Sequence, residues 1–267
     1  MHTYEHIATS FENIGARATI RPLGKYAPDR RRRPMAIDVI DDGSSEYFDI
    51  QLGTGIRLTA LDIQAGQQHL VLAASNDVGE DKFLCGHDER HWFTAALPHD
   101  EVVTDVKTAK EALKPKLVKI RERRKRSGKH PRRSDVFLRQ GEWFFIPWPH
   151  ARIDRDRIAC NGRLVREAGS KPHHCEFLFD AARQEYVCDR FPKLYFYEAE
   201  YQEILQTRRK ARRWNWRRLP LQPDIYVKGW ITHIDHSPLF LDVWHRVELN
   251  RESTAIAMSL SRMVYLD

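Results

Sequence analysis

An α+β fold rich in antiparallel sheet, with two basic helices joining or flanking two strand-rich halves, is predicted by three observations on this 267-residue chain. Short runs of β-branched and aromatic residues recur between glycine-containing turn signals. A helical apolar period replaces that alternation in two places. Positive charge is gathered into two segments instead of being spread along the chain.

Taken in order, residues 35–39, 47–52, 56–63 and 69–74 are strand-like runs separated by Asp-Gly, Gly-Thr-Gly and Ala-Gly signals, the pattern of an antiparallel meander. Residues 82–85 and 91–96 flank a polar turn at 86–90 and predict one more hairpin. From Thr104 the period changes. Val106, Ala109, Leu113, Leu117 and Ile120 fall on one helical face, with Pro115 suited to open a second helix. Ser127-Gly128 and Pro131 end that helix and leave 129–135 as an exposed linker. The chain therefore divides into a strand-rich half, 1–114, a basic helix and linker, 115–135, and an α+β half, 136–267.

The second half opens with a strand over 136–146 and offers a hairpin over 175–188. A helix follows from about Glu198, with Tyr197, Tyr201, Ile204 and Ala211 as its apolar stripe. Its last turns are the arginine cluster at 208–213, where the helix dipole favours cations. After a proline breaker at 220–223, strands 225–234 and 239–249 pair about a turn at Ser237-Pro238.

Hydrophobic residues make up 42% of the chain and aromatics 10%, seven of them Trp, enough for a packed core and against general disorder. The first ten residues lack the apolar stretch of a secretory leader, and no window reaches the length of a membrane span. The four cysteines include no Cys-x-x-Cys pair and are too few for a disulfide scaffold. These features predict a cytoplasmic protein with no membrane partner, its thiols reduced or bound to metal. Nothing matches a Walker loop, a dinucleotide glycine fingerprint or a Gly-x-Ser-x-Gly elbow, so the nucleotide-binding and ordinary serine hydrolase classes lose support.

The charge pattern carries the leading functional expectation. Residues 116–133 hold ten Lys or Arg against one acid, and 208–218 hold seven and none, while the remaining chain has 27 basic against 36 acidic residues. Clustered cations favour a polyanionic partner because each phosphate they neutralise releases counterions. In the first tract Lys116, Lys119, Arg123, Arg124, Lys125 and Arg126 are the candidate phosphate contacts. In the second, Arg208, Arg209, Arg212, Arg213, Arg217 and Arg218 surround Trp214 and Trp216, whose indoles would stack on single-stranded bases. Nucleic-acid binding is the expectation. The alternatives are a metal-dependent nuclease or other hydrolase acting on a polyanion, and a basic subunit that docks on an acidic partner in a larger assembly.

Three cysteine and histidine constellations are candidates for chemistry. A hairpin turning about Ala181 and Ala182 would set Cys175 opposite Cys188 with His173 on the same side. Cys160 would complete a zinc tetrahedron of three thiolates and one imidazole. Cys85, His87 and His91 cluster around a predicted hairpin turn, where a thiol nucleophile beside a histidine is one option and a metal another. In the last hairpin, a turn at Ser237-Pro238 would put His233 opposite Asp242, a carboxylate that orients the imidazole as an acid or base. His233 and His236, three apart on one strand, would then point to opposite faces.

Overall fold

The computed structural model describes residues 4–23, 35–126, 135–151, 153–166, 170–181, 185–191, 196–218 and 224–252. The protein is α+β and rich in antiparallel sheet. Among the described residues no helix is long and apolar enough to cross a membrane.

The first half begins with a helix that the strand pattern does not anticipate, α1 (Glu5–Glu12), whose Ile7 and Phe11 are buried. It packs on a three-stranded sheet in which β3 (Glu46–Leu52) lies between β2 (Met35–Asp41) and β1 (Ala18–Pro22). The β1–β3 pairing is parallel, so the meander expected across residues 35–74 is divided between two sheets. The second sheet is a true meander: β4 (Arg57–Gln64), β5 (His69–Ser75), β6 (Glu80–Asp88) and β7 (His91–Ala96), each antiparallel to the next.

This meander is covered on both faces. Leu70, Leu72 and Phe83 join Phe11, Phe48 and Ile50 in one core, while Val71, Leu84 and Ala95 meet Val106, Ala109 and Leu113 on the other side. Each such side chain taken out of water contributes about 1.5–3 kcal/mol. The second layer is α2 (Val106–Ala112), fixed at its start by a reciprocal cap. Asp105 accepts the Thr108 backbone N–H at 2.7 Å, and the Thr108 hydroxyl accepts the Asp105 N–H at 3.0 Å.

Pro115 immediately precedes α3 (Lys116–Arg126), which buries Val118 against Phe137, Phe144 and Ile146. Ile120, expected on the buried face, is 44% exposed. The linker expected from residue 129 lies, up to residue 134, outside the described residues, as does a third and smaller basic cluster in the sequence, Arg30 to Arg33.

The second half is built on a six-stranded antiparallel sheet of β8 (Leu138–Gln140), β9 (Trp143–Pro147), β10 (Ile158–Leu164), β11 (His173–Asp180), β15 (Ile225–His233) and β16 (His236–Leu249). Its order is β10-β11-β15-β16-β9-β8. The single strand expected over 136–146 is thus two, broken at Gly141, whose φ of +58° suits glycine. A smaller sheet of β12 (Glu185–Cys188), β13 (Phe196–Tyr197) and β14 (Trp216–Arg218) carries α4 (Glu198–Thr207). That helix stops at Thr207, and the arginines beyond it form a separate 3-10 helix, Arg209–Arg213.

Candidate metal centre

Three histidines meet at one end of the large sheet. The β15–β16 hairpin turns at Ile234 and Asp235, not at Ser237-Pro238, so His233 and His236 are directly opposed across the strands. Opposed residues of an antiparallel pair point to the same face, and the expectation of opposite faces is corrected by this placement of the turn. Pro238 lies where the register shifts between Ile231 and His233, a bulge at which no ladder donor is required. The same register removes the His233–Asp242 pairing. Gly229, not His233, faces Leu241, and Asp242 is exposed on β16.

His173 opens β11, whose next residues pair His174 with Thr232 and Cys175 with Ile231, so its ring falls beside that of His233. The rings are stacked with centroids 4.1 Å apart, and His236 is 4.9 Å from His233 and 5.6 Å from His173. One nitrogen from each ring lies within 4.8 Å of the others. A tetrahedral ion bound at about 2.0–2.1 Å needs nitrogens about 3.4 Å apart, so the rings would have to draw together around it.

The His233 ring is bonded within the hairpin, its Nδ1 accepting the Asp235 N–H at 3.2 Å, but several polar atoms around the other two rings lack partners. His173 is 2% exposed, and neither of its ring nitrogens has a hydrogen bond. The same holds for His236 Nδ1 and for two neighbours, Gln140 Oε1 and Trp143 Nε1. Gln140 donates from its other end to the Ser237 carbonyl at 2.6 Å, and the Trp143 and His173 ring centroids are 6.2 Å apart. Each buried polar atom left unpaired costs about 1–3 kcal/mol, so that cost is concentrated beside the histidines.

Electrostatics favour the neutral form of His173 and His233. Burial, reinforced by His233 and His236, pulls His173 down to about 3. Burial and the neighbouring His236 lower His233, against the opposing pull of Asp235. Neutral imidazole is the form that binds metal.

The histidines open into a cavity of about 330 Å³ between the β6–β7 and β15–β16 hairpins. Two ion pairs line it: Lys171 with Asp235 at 2.7 Å, and Arg166 with Glu252 at 2.5 Å. Burial raises the Glu252 carboxyl even with Arg166 opposing it. Burial would also raise Asp235, but the Lys171 hydrogen bond and charge outweigh it and leave that carboxyl lowered.

The predicted zinc set is not assembled. β11 ends at Asp180 and pairs with β10 and β15, while Cys188 lies in the small sheet opposite Trp216. Cys160, opposite Phe177, is exposed, whereas Cys175 is buried with its thiol pushed up to about 12. Of the four expected ligands only His173 belongs to the observed group. The 85–91 cluster also separates. Cys85 is fully buried with its thiol raised to about 12, unsuited to nucleophilic attack. His87 packs edge-on to Trp92 with centroids 4.9 Å apart, and only His91 lines the cavity.

The basic tracts are partly neutralised from within. On α3, Lys119 pairs with Glu101 at 2.6 Å, Lys125 donates to the Asp135 carbonyl at 3.0 Å, and Arg121 lies 4.4 Å over Trp148. Lys116, Arg123 and Arg124 are exposed on the same helix, which Arg126 ends. In the second tract Arg208, Arg209, Arg212, Arg213, Arg217 and Arg218 are exposed. Trp214 and Trp216 are half-buried in an aromatic cluster, Trp214 edge-on to Phe191 at 5.7 Å and Trp216 to Tyr201 at 4.9 Å. The Trp216 indole N–H donates to the Ala211 carbonyl at 2.8 Å. These half-buried indoles have structural partners within the chain.

Comparison with protein-family models, with curated proteins and with solved structures found no match to this chain.

Proposed function

We propose that this chain is a metal-dependent hydrolase whose centre is His173, His233 and His236. The observation that carries the reading is the buried, neutral, unpartnered imidazole of His173 stacked beside two more histidines at the wall of a cavity. Three imidazoles suit a divalent transition ion such as zinc, and three protein ligands with an open fourth position are the arrangement of catalytic zinc sites. Such an ion would polarise a substrate oxygen and lower the pKa of water. Four free cysteines fit the cytoplasmic setting we infer for it.

Metal analysis of the full chain tests the reading. We expect about one zinc per chain and visible d–d absorption when cobalt replaces it. His236→Ala should lose both, while Cys160→Ser and Cys188→Ser, which lie outside the histidine group, should keep them. His173→Ala risks the fold because that ring is buried, so the half-buried His236 is the informative variant. Well-folded parent protein that takes up neither ion would overturn the proposal.

A second reading, nucleic-acid binding, is favoured by the exposure of Arg212, Arg213, Arg217 and Arg218. The two are compatible, since a basic surface raises the local concentration of a polyanionic substrate.

A further inference from the structure

His91 begins β7 at the rim of the same cavity and is held from two sides. Its Nδ1 lies 2.6 Å from Glu46 Oε1, and the other Glu46 oxygen accepts the Trp92 backbone N–H at 2.8 Å. Both oxygens of the carboxylate are therefore engaged, by consecutive residues of one strand, and the ring cannot swing without breaking that clamp. A carboxylate only accepts, so the Nδ1 facing it carries a proton. The exchangeable position is then Nε2, which lies 3.4 Å from Asp235 Oδ1 without the hydrogen bond that fixes Nδ1, beside the turn that separates His233 from His236. Lys171 holds Asp235 from the far side at 2.7 and 2.9 Å, and Asp88 is the cross-strand neighbour of His91.

We infer that His91, oriented by Glu46, is the proton-transfer residue of this cavity, which rests on the hydrolase reading above. In the forward step Nε2 removes a proton from water as the water oxygen bonds to the electrophilic carbon or phosphorus. The bond from that centre to the leaving oxygen breaks, and Nε2 returns the proton to it. Ester and water become acid and alcohol, and His91 ends as it began. Glu46 is a positioning residue: it sets the tautomer and touches no reacting atom. The pairing of a proton-transfer group with a metal centre across two different sheets explains why the β15–β16 tip is tied to the first half at several points. The Glu89 carboxylate accepts the Ser237 N–H at 2.9 Å, and Arg90 reaches the Ile234 carbonyl at 3.4 Å.

The test uses zinc-loaded full chain with phenyl acetate and bis(4-nitrophenyl) phosphate as probes, alongside metal analysis and the imidazole ¹⁵N spectrum. His91→Gln should retain the parental zinc content while turnover of the responsive probe falls about 100-fold or more, the usual contribution of a positioned acid or base. In the parent, the His91 Nδ1 resonance should be that of a protonated nitrogen, and Glu46→Gln should disturb it with the metal still bound. A parent chain without zinc defeats the hydrolase reading itself. With zinc present, three results each overturn the role of His91: parental turnover in His91→Gln, an unprotonated Nδ1, or a loaded parent that hydrolyses neither probe.

Discussion

Gly141 decides more than its size implies. Its φ of +58° lies in the left-handed region, and a Cβ built there would stand 2.9 Å from His236 Nε2. Gly141→Ala should therefore destabilise by about 1–2 kcal/mol through the backbone alone and also displace the histidine. Gly43, with φ +85° and nothing within 4 Å of a Cβ, supplies the control. Both alanine variants should melt lower than the parent, but only Gly141→Ala should weaken zinc binding. Equal affinities in a competition with a chromogenic chelator would mean that Gly141 does not position His236. The histidines themselves are visible in the sequence and their partnership is not. Residue spacing places His233 and His236 on opposite faces if one strand carries both, and on one face if a turn lies between them. The pattern His-Ile-Asp-His is compatible with either, and Ser237-Pro238 offers the stronger local turn chemistry. His173 joins through a strand pairing some sixty residues away in sequence, for which no local signal exists.

At the level of elements, alternation and periodicity located most strands and helices, because a half-buried strand and an amphipathic helix write their burial into the residue order. Pairing is another matter. The 175–188 hairpin fails because β11 finds both its neighbours elsewhere, and the strand alternation that identifies it says nothing about which edges it meets. The β15–β16 turn shows how much depends on such a detail. Inserting one glycine between Asp235 and His236 should shift the pairing at the tip by a residue and send His236 to the other face. The cost to the fold should be small, since Ile234 at this tip is 73% exposed and the core residues Val227, Ile231 and Leu241 lie further along the strands. We expect an unchanged far-ultraviolet circular dichroism spectrum together with loss of stoichiometric zinc. Retained zinc in the insertion variant would show that the ligands do not depend on this register.

Across the whole molecule, the polarised charge divides into two kinds of surface. Positive side chains on and around α3 are partly used to hold the fold: Lys119 bridges Glu101, Lys114 before the helix bridges Glu111 and Glu122, and Arg251 bridges Asp100 and Glu101. The arginines after α4 are exposed, and the cations there with a carboxylate partner are weakly held, as in Arg217 to Asp189 at 3.7 Å. If a polyanion is recognised, this second surface is where counterion release has most to gain. Changing Arg212, Arg213, Arg217 and Arg218 together to Gln should lower affinity for a fluorescent single-stranded oligonucleotide regardless of its sequence. The slope of log affinity against log salt should flatten by about 0.7 for each phosphate no longer neutralised. The fold should survive, because these side chains are exposed. Trp216→Ala is not an equivalent probe, since its indole packs against Tyr201 and Phe196 and bonds the Ala211 carbonyl, so any drop in binding would reflect disrupted local structure. An arginine variant that binds with parental affinity and slope would show that the segment 208–218 is not the contact surface for a polyanion, leaving the proposed metal centre as the remaining candidate surface.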